Sequence, residues 1–129
     1  MTRVEDIITD YRNEQLKEMI KLNPSLSMYS AEELEMMFPL TKEEKVFIVH
    51  MYISSIEKEI ILLNADIKDC ENRIDDPKAF YEVKTECRHD ITMCSRKIRK
   101  LENEIDEVKK ELSKLEGKER HAKRNRKLS

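Results

Sequence analysis

KVFIVHMYISSIEKEIILLNADIKDCENRI, residues 45–74, sets apolar side chains at Val46, Val49, Ile53, Ile56, Ile60, Leu63, Ile67, Cys70 and Ile74. The steps alternate between three and four, which keeps one apolar seam along one side of an α-helix and turns it toward a partner helix. The spacing predicts a single helix over about 42–75, roughly 50 Å long at about 1.5 Å per residue. Asp75-Asp76-Pro77 follows, a stop and a restart, with Asp76 expected as N-cap and Pro77 at the first helical position of the next element.

A second run of the same period occupies Cys87, Ile91, Cys94, Ile98, Leu101, Ile105, Val108, Leu112 and Leu115. Two long helices joined by a tight connection lie antiparallel. Folding about residue 77 sets Ile74 near Phe80 and Cys70 near Cys87 with some slippage. Upstream of Cys87 two readings stay open. Either the phase slips, since Lys84 stands where a seam residue is due and Val83 is one step away, or the helix repacks around Phe80 and Tyr81. Gly117 is the expected end of this helix.

Working outward toward the N-terminus, Thr2 precedes Glu5, Ser30 precedes Glu33 and Thr41 precedes Glu44, each pair three residues apart at the head of an apolar run. In such a capping box the hydroxyl and the carboxylate each satisfy a backbone N–H that has no helical partner. Three boxes predict three helix starts. The first helix covers about 3–21, with Val4, Ile7, Ile8, Tyr11, Met19 and Ile20 on a broad stripe, and ends at Asn23-Pro24. A short helix near 31–38 presents Leu34, Met37 and Phe38 and is closed by Pro39.

The fold class expected is therefore all-α: a long antiparallel coiled-coil helical hairpin with the N-terminal helices packed on its base. Residues 1–40 form the base, 41–116 the hairpin with its turn near 75–78, and 117–129 a basic, flexible tail. Seam positions Ile53, Ile60, Ile67, Ile98, Ile105 and Val108 are assigned to the fold. Phe47, Ile48, Met51, Tyr52, Ile61 and Leu62 widen the apolar face over 46–62, and such a face needs another layer. The N-terminal helices, a second copy of the chain, or both are expected to supply it.

Composition narrows the function. One glycine and three prolines among 129 residues exclude glycine-rich phosphate loops, and 40% charged residues with 5% aromatics suit long amphipathic helices. No apolar run reaches the roughly 20 residues of a membrane span, and MTRVEDIITDY has no signal-like apolar core. The expected setting is cytoplasmic or nuclear, with three free thiols. Cysteines at seam positions read as small buried hydrophobes, with an oxidisable Cys70–Cys87 pair as a minor alternative. They do not assemble the four ligands zinc normally takes, since His89 points off the seam. His50 and Ser54 share a helical face, but nothing around them builds an oxyanion site. Neither a catalytic residue, a cofactor nor a metal is expected.

LTKEEKVFIVHMYI, residues 40–53, resembles the opening of the helix-turn-helix in sigma-factor-like regulators over those 14 residues. A turn and a separate recognition helix would follow in that motif. Here ISSIEKEIILL continues the heptad phase instead, so nothing of that family's activity is carried over.

Two surfaces remain as candidates. SAEELEMMFPL concentrates deformable apolar side chains, and Leu34, Met37, Phe38 and Leu40 are the expected partner-binding residues. In residues 117–129, Lys118, Arg120, Lys123, Arg124, Arg126 and Lys127 stand against Glu119 alone, +5, which leaves −7 on residues 1–116 out of a net −2. Those six bases are nucleic-acid candidates for weak backbone contact, with no aromatic residue between them to stack on bases. The expected function is a non-enzymatic protein–protein interaction or scaffold protein, forming a homodimer. Alternatives are a nucleic-acid accessory protein using the basic tail and a regulatory inhibitor docking on a partner enzyme.

Overall fold

A computed structural model describes the backbone of residues 2–128 and the side chains of residues 2–116. Four α-helices follow in order: α1 Arg3–Leu22, α2 Ala31–Met37, α3 Lys42–Asp75 and α4 Tyr81–Leu128, with a 3-10 helix over Pro24–Met28 between the first two. Among the described residues there is no strand. The long pair α3 and α4 pack heavily against each other, and the N-terminal helices lie on them, as the apolar periodicity expects.

All three capping boxes form. Glu5 N donates to Thr2 Oγ1 at 3.2 Å and Thr2 N to Glu5 Oε2 at 3.1 Å. Ser30 with Glu33 and Thr41 with Glu44 repeat the arrangement, each at 3.1 and 3.3 Å. α1 closes with Asn23 N on Met19 O, after which Pro24 begins the 3-10 helix.

The chain divides into two compact units. One comprises Met1–Tyr52 and Val108–Ser129, and its core is Val4, Ile7, Leu16, Leu34, Ile48, Val49, Val108 and Leu112, of which Val49 and Val108 are completely buried. The stripe of α1 holds at Val4 and Ile7, which are buried, and at Ile8, Met19 and Ile20, which are half-buried. Tyr11 is exposed, and Arg12 and Leu16, each four residues on along the line from Ile8, are buried in addition.

The other unit, Ile53–Glu107, is a two-helix hairpin. On its α3 half the seam residues Ile53, Ile56, Ile60, Leu63, Ile67, Cys70 and Ile74 are buried or half-buried, and nearly everything off the seam is exposed. α4 answers with Cys87, Ile91, Cys94, Ile98, Leu101 and Ile105. Lys97 Nζ meets Glu59 Oε1 at 3.1 Å, and Cys87 neighbours Cys70. From Glu59 to Cys70 is eleven residues on α3 and from Lys97 back to Cys87 is ten on α4, so the antiparallel register holds through this stretch. In that register Leu63 lies level with Cys94, Ile67 with Ile91 and Ile60 with Ile98.

Several expectations need correction. The connection is longer than a two-residue restart: Asp76 O accepts from Ala79 N at 3.2 Å and Asp76 Oδ1 from Lys78 N at 2.9 Å, a turn with proline at its second position. Pro77 therefore belongs to that turn, and α4 begins at Tyr81. Phe80 is 76% exposed and takes no part in the core. No phase slip occurs, since Lys84 is half-buried on the seam line and Val83 is exposed. Gly117 does not end α4, whose backbone runs to Leu128. A glycine within a helix costs only about 1 kcal/mol against alanine, and the lysines, arginines and glutamate around it favour helix. Finally, the wide face of α3 is covered on one side only. Ile48 is buried and Tyr52 half-buried, whereas Phe47, Met51, Ile61 and Leu62 stay exposed because their directions point away from the seam.

Candidate partner-binding cleft

A cleft of about 820 Å³ lies within the unit of Met1–Tyr52 and Val108–Ser129, between α1, the start of α2, and α4. Its apolar wall includes Ile8 and Leu16 from α1, Leu40 from the segment before α3, and Leu115 from α4. Lys45 and Lys114 bring two cations to it, and Glu5 and Glu32 bring carboxylates.

Arg12 organises this region. The residue is 5% exposed, and every arm of the guanidinium is occupied. Nε donates to Glu35 Oε1 at 2.7 Å, Nη1 to Gln15 Oε1 at 2.7 Å, and Nη2 to the carbonyl oxygen of Phe38. That carbonyl belongs to the residue just past α2, where helical carbonyls lack internal partners. Arg12 thus ties α1 to both the body and the end of α2, and so fixes where the chain passes through Leu40. A lysine has no planar fork with which to reach three acceptors at once.

Glu111 organises the opposite side. Its carboxylate accepts from Val4 N at 2.7 Å and Arg3 N at 3.3 Å, so α4 closes the free amides of α1's first turn. Arg3 Nη2 in turn donates to Tyr52 OH at 2.7 Å, and its guanidinium lies 5.6 Å from the Tyr52 ring centroid. With Glu35 and Glu111 engaged in these contacts, Lys45 and Lys114 have no ion-pair partner among the described residues. The cleft therefore offers an apolar wall with charge of both signs around it, Lys45 and Lys114 on one count and Glu5 and Glu32 on the other, a setting for apolar side chains with polar neighbours.

The residues nominated for partner binding are divided by the fold. Leu34 is 2% exposed and holds α2 onto the base, so it is not available at the surface. Leu40 lines the cleft, while Met37 and Phe38 are about half exposed outside it. Of the seam residues, Ile53, Ile105 and Val108 are buried and Ile60, Ile67 and Ile98 half-buried. The side chains of Lys118, Arg120, Lys123, Arg124, Arg126 and Lys127 lie outside the described residues.

Elsewhere, His50 Nε2 sits 3.8 Å from Glu116 Oε1 at the surface, with Ser54 exposed. Among the described residues no group of three or more His, Cys, Asp or Glu side chains is placed to hold a metal ion. No helix among them is long and apolar enough to cross a membrane. Sequence spacing does not single out Arg12, Glu111, Lys45 or Lys114. The signal for Arg12 is its place four residues after Ile8 and four before Leu16, inside an apolar line where a charged residue is ordinarily assigned to solvent. The chain matches no protein-family model, no curated protein and no solved structure.

Proposed function

We propose that this chain is a non-enzymatic helical interaction protein whose cleft beside Arg12 receives apolar side chains of a partner protein, with polar groups of the partner meeting Lys45 and Lys114. The observation that carries the reading is an open apolar wall bordered by Lys45 and Lys114, neither of which has an ion-pair partner among the described residues, and by the carboxylates of Glu5 and Glu32. Ligand sites are typically concave, mostly apolar and furnished with a few polar groups that fix orientation. Rigid helices on all sides would present that wall without reorganisation, and the α3–α4 hairpin would act as a spacer between the partner and whatever else the molecule joins.

A photo-crosslinking side chain placed at Leu40 tests this in the full chain. The expected result is one discrete protein adduct in cells, absent when the crosslinker is at exposed Lys100 and lost when Lys45→Glu and Lys114→Glu are combined. Equal adducts from positions 40 and 100, or indifference to the charge reversals, would exclude the cleft. If the captured partner is an enzyme, inhibition of its turnover by the wild-type chain distinguishes a regulatory inhibitor from a scaffold.

Self-association belongs to the same reading, with Phe47 and Met51 on the uncovered side of α3 as its contact. Equilibrium sedimentation of wild type against Phe47→Glu tests it: a dimer that becomes a monomer supports it and a wild-type monomer rejects it. Free thiols at Cys70, Cys87 and Cys94 suit a cytoplasmic or nuclear setting.

A second reading rests on the charge of the last thirteen residues, +5, on a helix that continues to Leu128. Nucleic-acid binding by these bases would weaken steeply with salt, since each neutralised phosphate releases a counterion, and would disappear on deleting residues 118–129. Binding that survives the deletion would assign the contact elsewhere.

A further inference from the structure

We propose that Cys70 and Cys87 form a reversible redox pair, closing to an intramolecular disulfide that staples α3 to α4 near the hairpin turn. Both are free thiols at seam positions of opposite helices, Cys87 buried and Cys70 half-buried. The Glu59–Lys97 ion pair marks the register that makes them level, and the Cys87 side chain neighbours that of Cys70. Packed helix axes lie about 8–10 Å apart and Cα atoms about 2.3 Å from each axis, so facing seam residues approach to about 5 Å between Cα atoms. That is within the roughly 4.4–6.8 Å that a disulfide spans. Cys94 is a built-in control. It is one heptad beyond Cys87 on the same helix, about 10 Å along the axis, and level with Leu63.

Hydrogen peroxide is the oxidant of the step. Cys70, the more accessible thiol of the pair, attacks one peroxide oxygen as its thiolate. The O–O bond breaks and the departing hydroxide leaves as water after taking a proton, so Cys70 becomes a sulfenic acid. The sulfur of Cys87 then attacks Cys70 Sγ, the S–O bond breaks, and a second hydroxide leaves as water as the S–S bond forms. Two thiols lose two electrons and two protons, and one peroxide is reduced to two waters. Burial against α4 together with the Cys87 thiol and Asp90 raises the Cys70 thiol above its ordinary value, with Arg73 as the lowering influence. The thiolate is therefore scarce at neutral pH, and the first step accelerates as pH rises.

The test uses the full-length chain titrated with peroxide and then mapped by non-reducing peptide mass spectrometry. The expected product is a monomer lighter by two hydrogens, with a 70–87 crosslink, one remaining free thiol, and a Tm several degrees above the reduced chain that dithiothreitol restores. Cys94→Ser leaves the pair intact and should give the same crosslink with no remaining thiol, so the reading does not depend on a variant that disturbs the pair. Cys70→Ser should lose the crosslink and the Tm shift together. A crosslink involving Cys94, a disulfide between two chains, or oxidation of both thiols to sulfinic acids without a crosslink would each overturn the proposal.

Discussion

At the residue scale the molecule is held at two points by charged side chains, Arg12 buried and Glu111 half-buried. Arg12 is the stronger case, since truncating it leaves the Phe38 carbonyl without its donor and Glu35 without its cation. Because Glu35 is partly exposed, the loss should fall below that of a fully buried pair: about 2–3 kcal/mol for Arg12→Ala by urea unfolding, against about 1 kcal/mol for Glu35→Gln. Equal effects from the two would show that the backbone carbonyl contributes little. Glu111→Ala removes a cap from α1, and the expected cost is about 1 kcal/mol. It should appear in hydrogen exchange as faster amides at residues 3–6, with those of 53–107 unchanged. Cys70 makes stability pH-dependent at the alkaline end. A thiol held above its ordinary value of 9.0 keeps its proton longer in the folded chain than in the unfolded one. Its contribution is complete below pH 9 and fades as pH rises through the folded value. Cys70→Ala should flatten that part of the Tm–pH curve, and an unchanged slope would place the alkaline loss on other groups.

At the element scale the seam separates substitutions that look alike in sequence. Ile60 and Leu62 are both aliphatic residues of α3, yet Ile60 is half-buried on the seam and Leu62 is 66% exposed. Ile60→Asp should cost several kcal/mol by putting a carboxylate into the helix interface, while Leu62→Asp should stay within about 0.5 kcal/mol, both read by thermal circular dichroism. Lys84 makes the opposite prediction. It holds a seam position with a side chain whose charge must reach solvent, and Lys84→Leu should add about 1 kcal/mol. The seam and the capping boxes were legible because each rests on spacing along one helix, a property the sequence carries directly. The register was legible in part, since the two seams already bring Cys70 to Cys87, but the turn was not: Asp76 engages Lys78 and Ala79 rather than opening α4. Nor was the cleft, which needs Leu40, Lys45 and Lys114 brought together from distant parts of the chain. Leu34 shows the same limit: its apolar neighbourhood reads as a cap on the base or as a docking surface, and packing assigns it to the core.

At the scale of the whole molecule the two units differ in how completely they exclude water, and this sets an order in which the chain opens. The unit containing α1 and α2 has a third layer, with completely buried Val49 and Val108 at its centre. The hairpin unit has two helices only. Between Ile60 and Leu101 its seam is half-buried except at Cys87, so each side chain there keeps part of its surface in water and gains less from packing. Local openings cost least where buried apolar area is smallest. Amides over 60–70 and 87–101 should therefore exchange through partial opening, with protection factors at least ~10-fold below those over 48–52 and 108–112, a gap of about 1.4 kcal/mol. Native-state hydrogen exchange across a urea series reads this directly: the hairpin amides should show a small urea dependence at low urea and merge with the others only near global unfolding. Merging at all urea concentrations would mean that the two units open as one, and that the missing third layer of the hairpin is offset by the length of its seam.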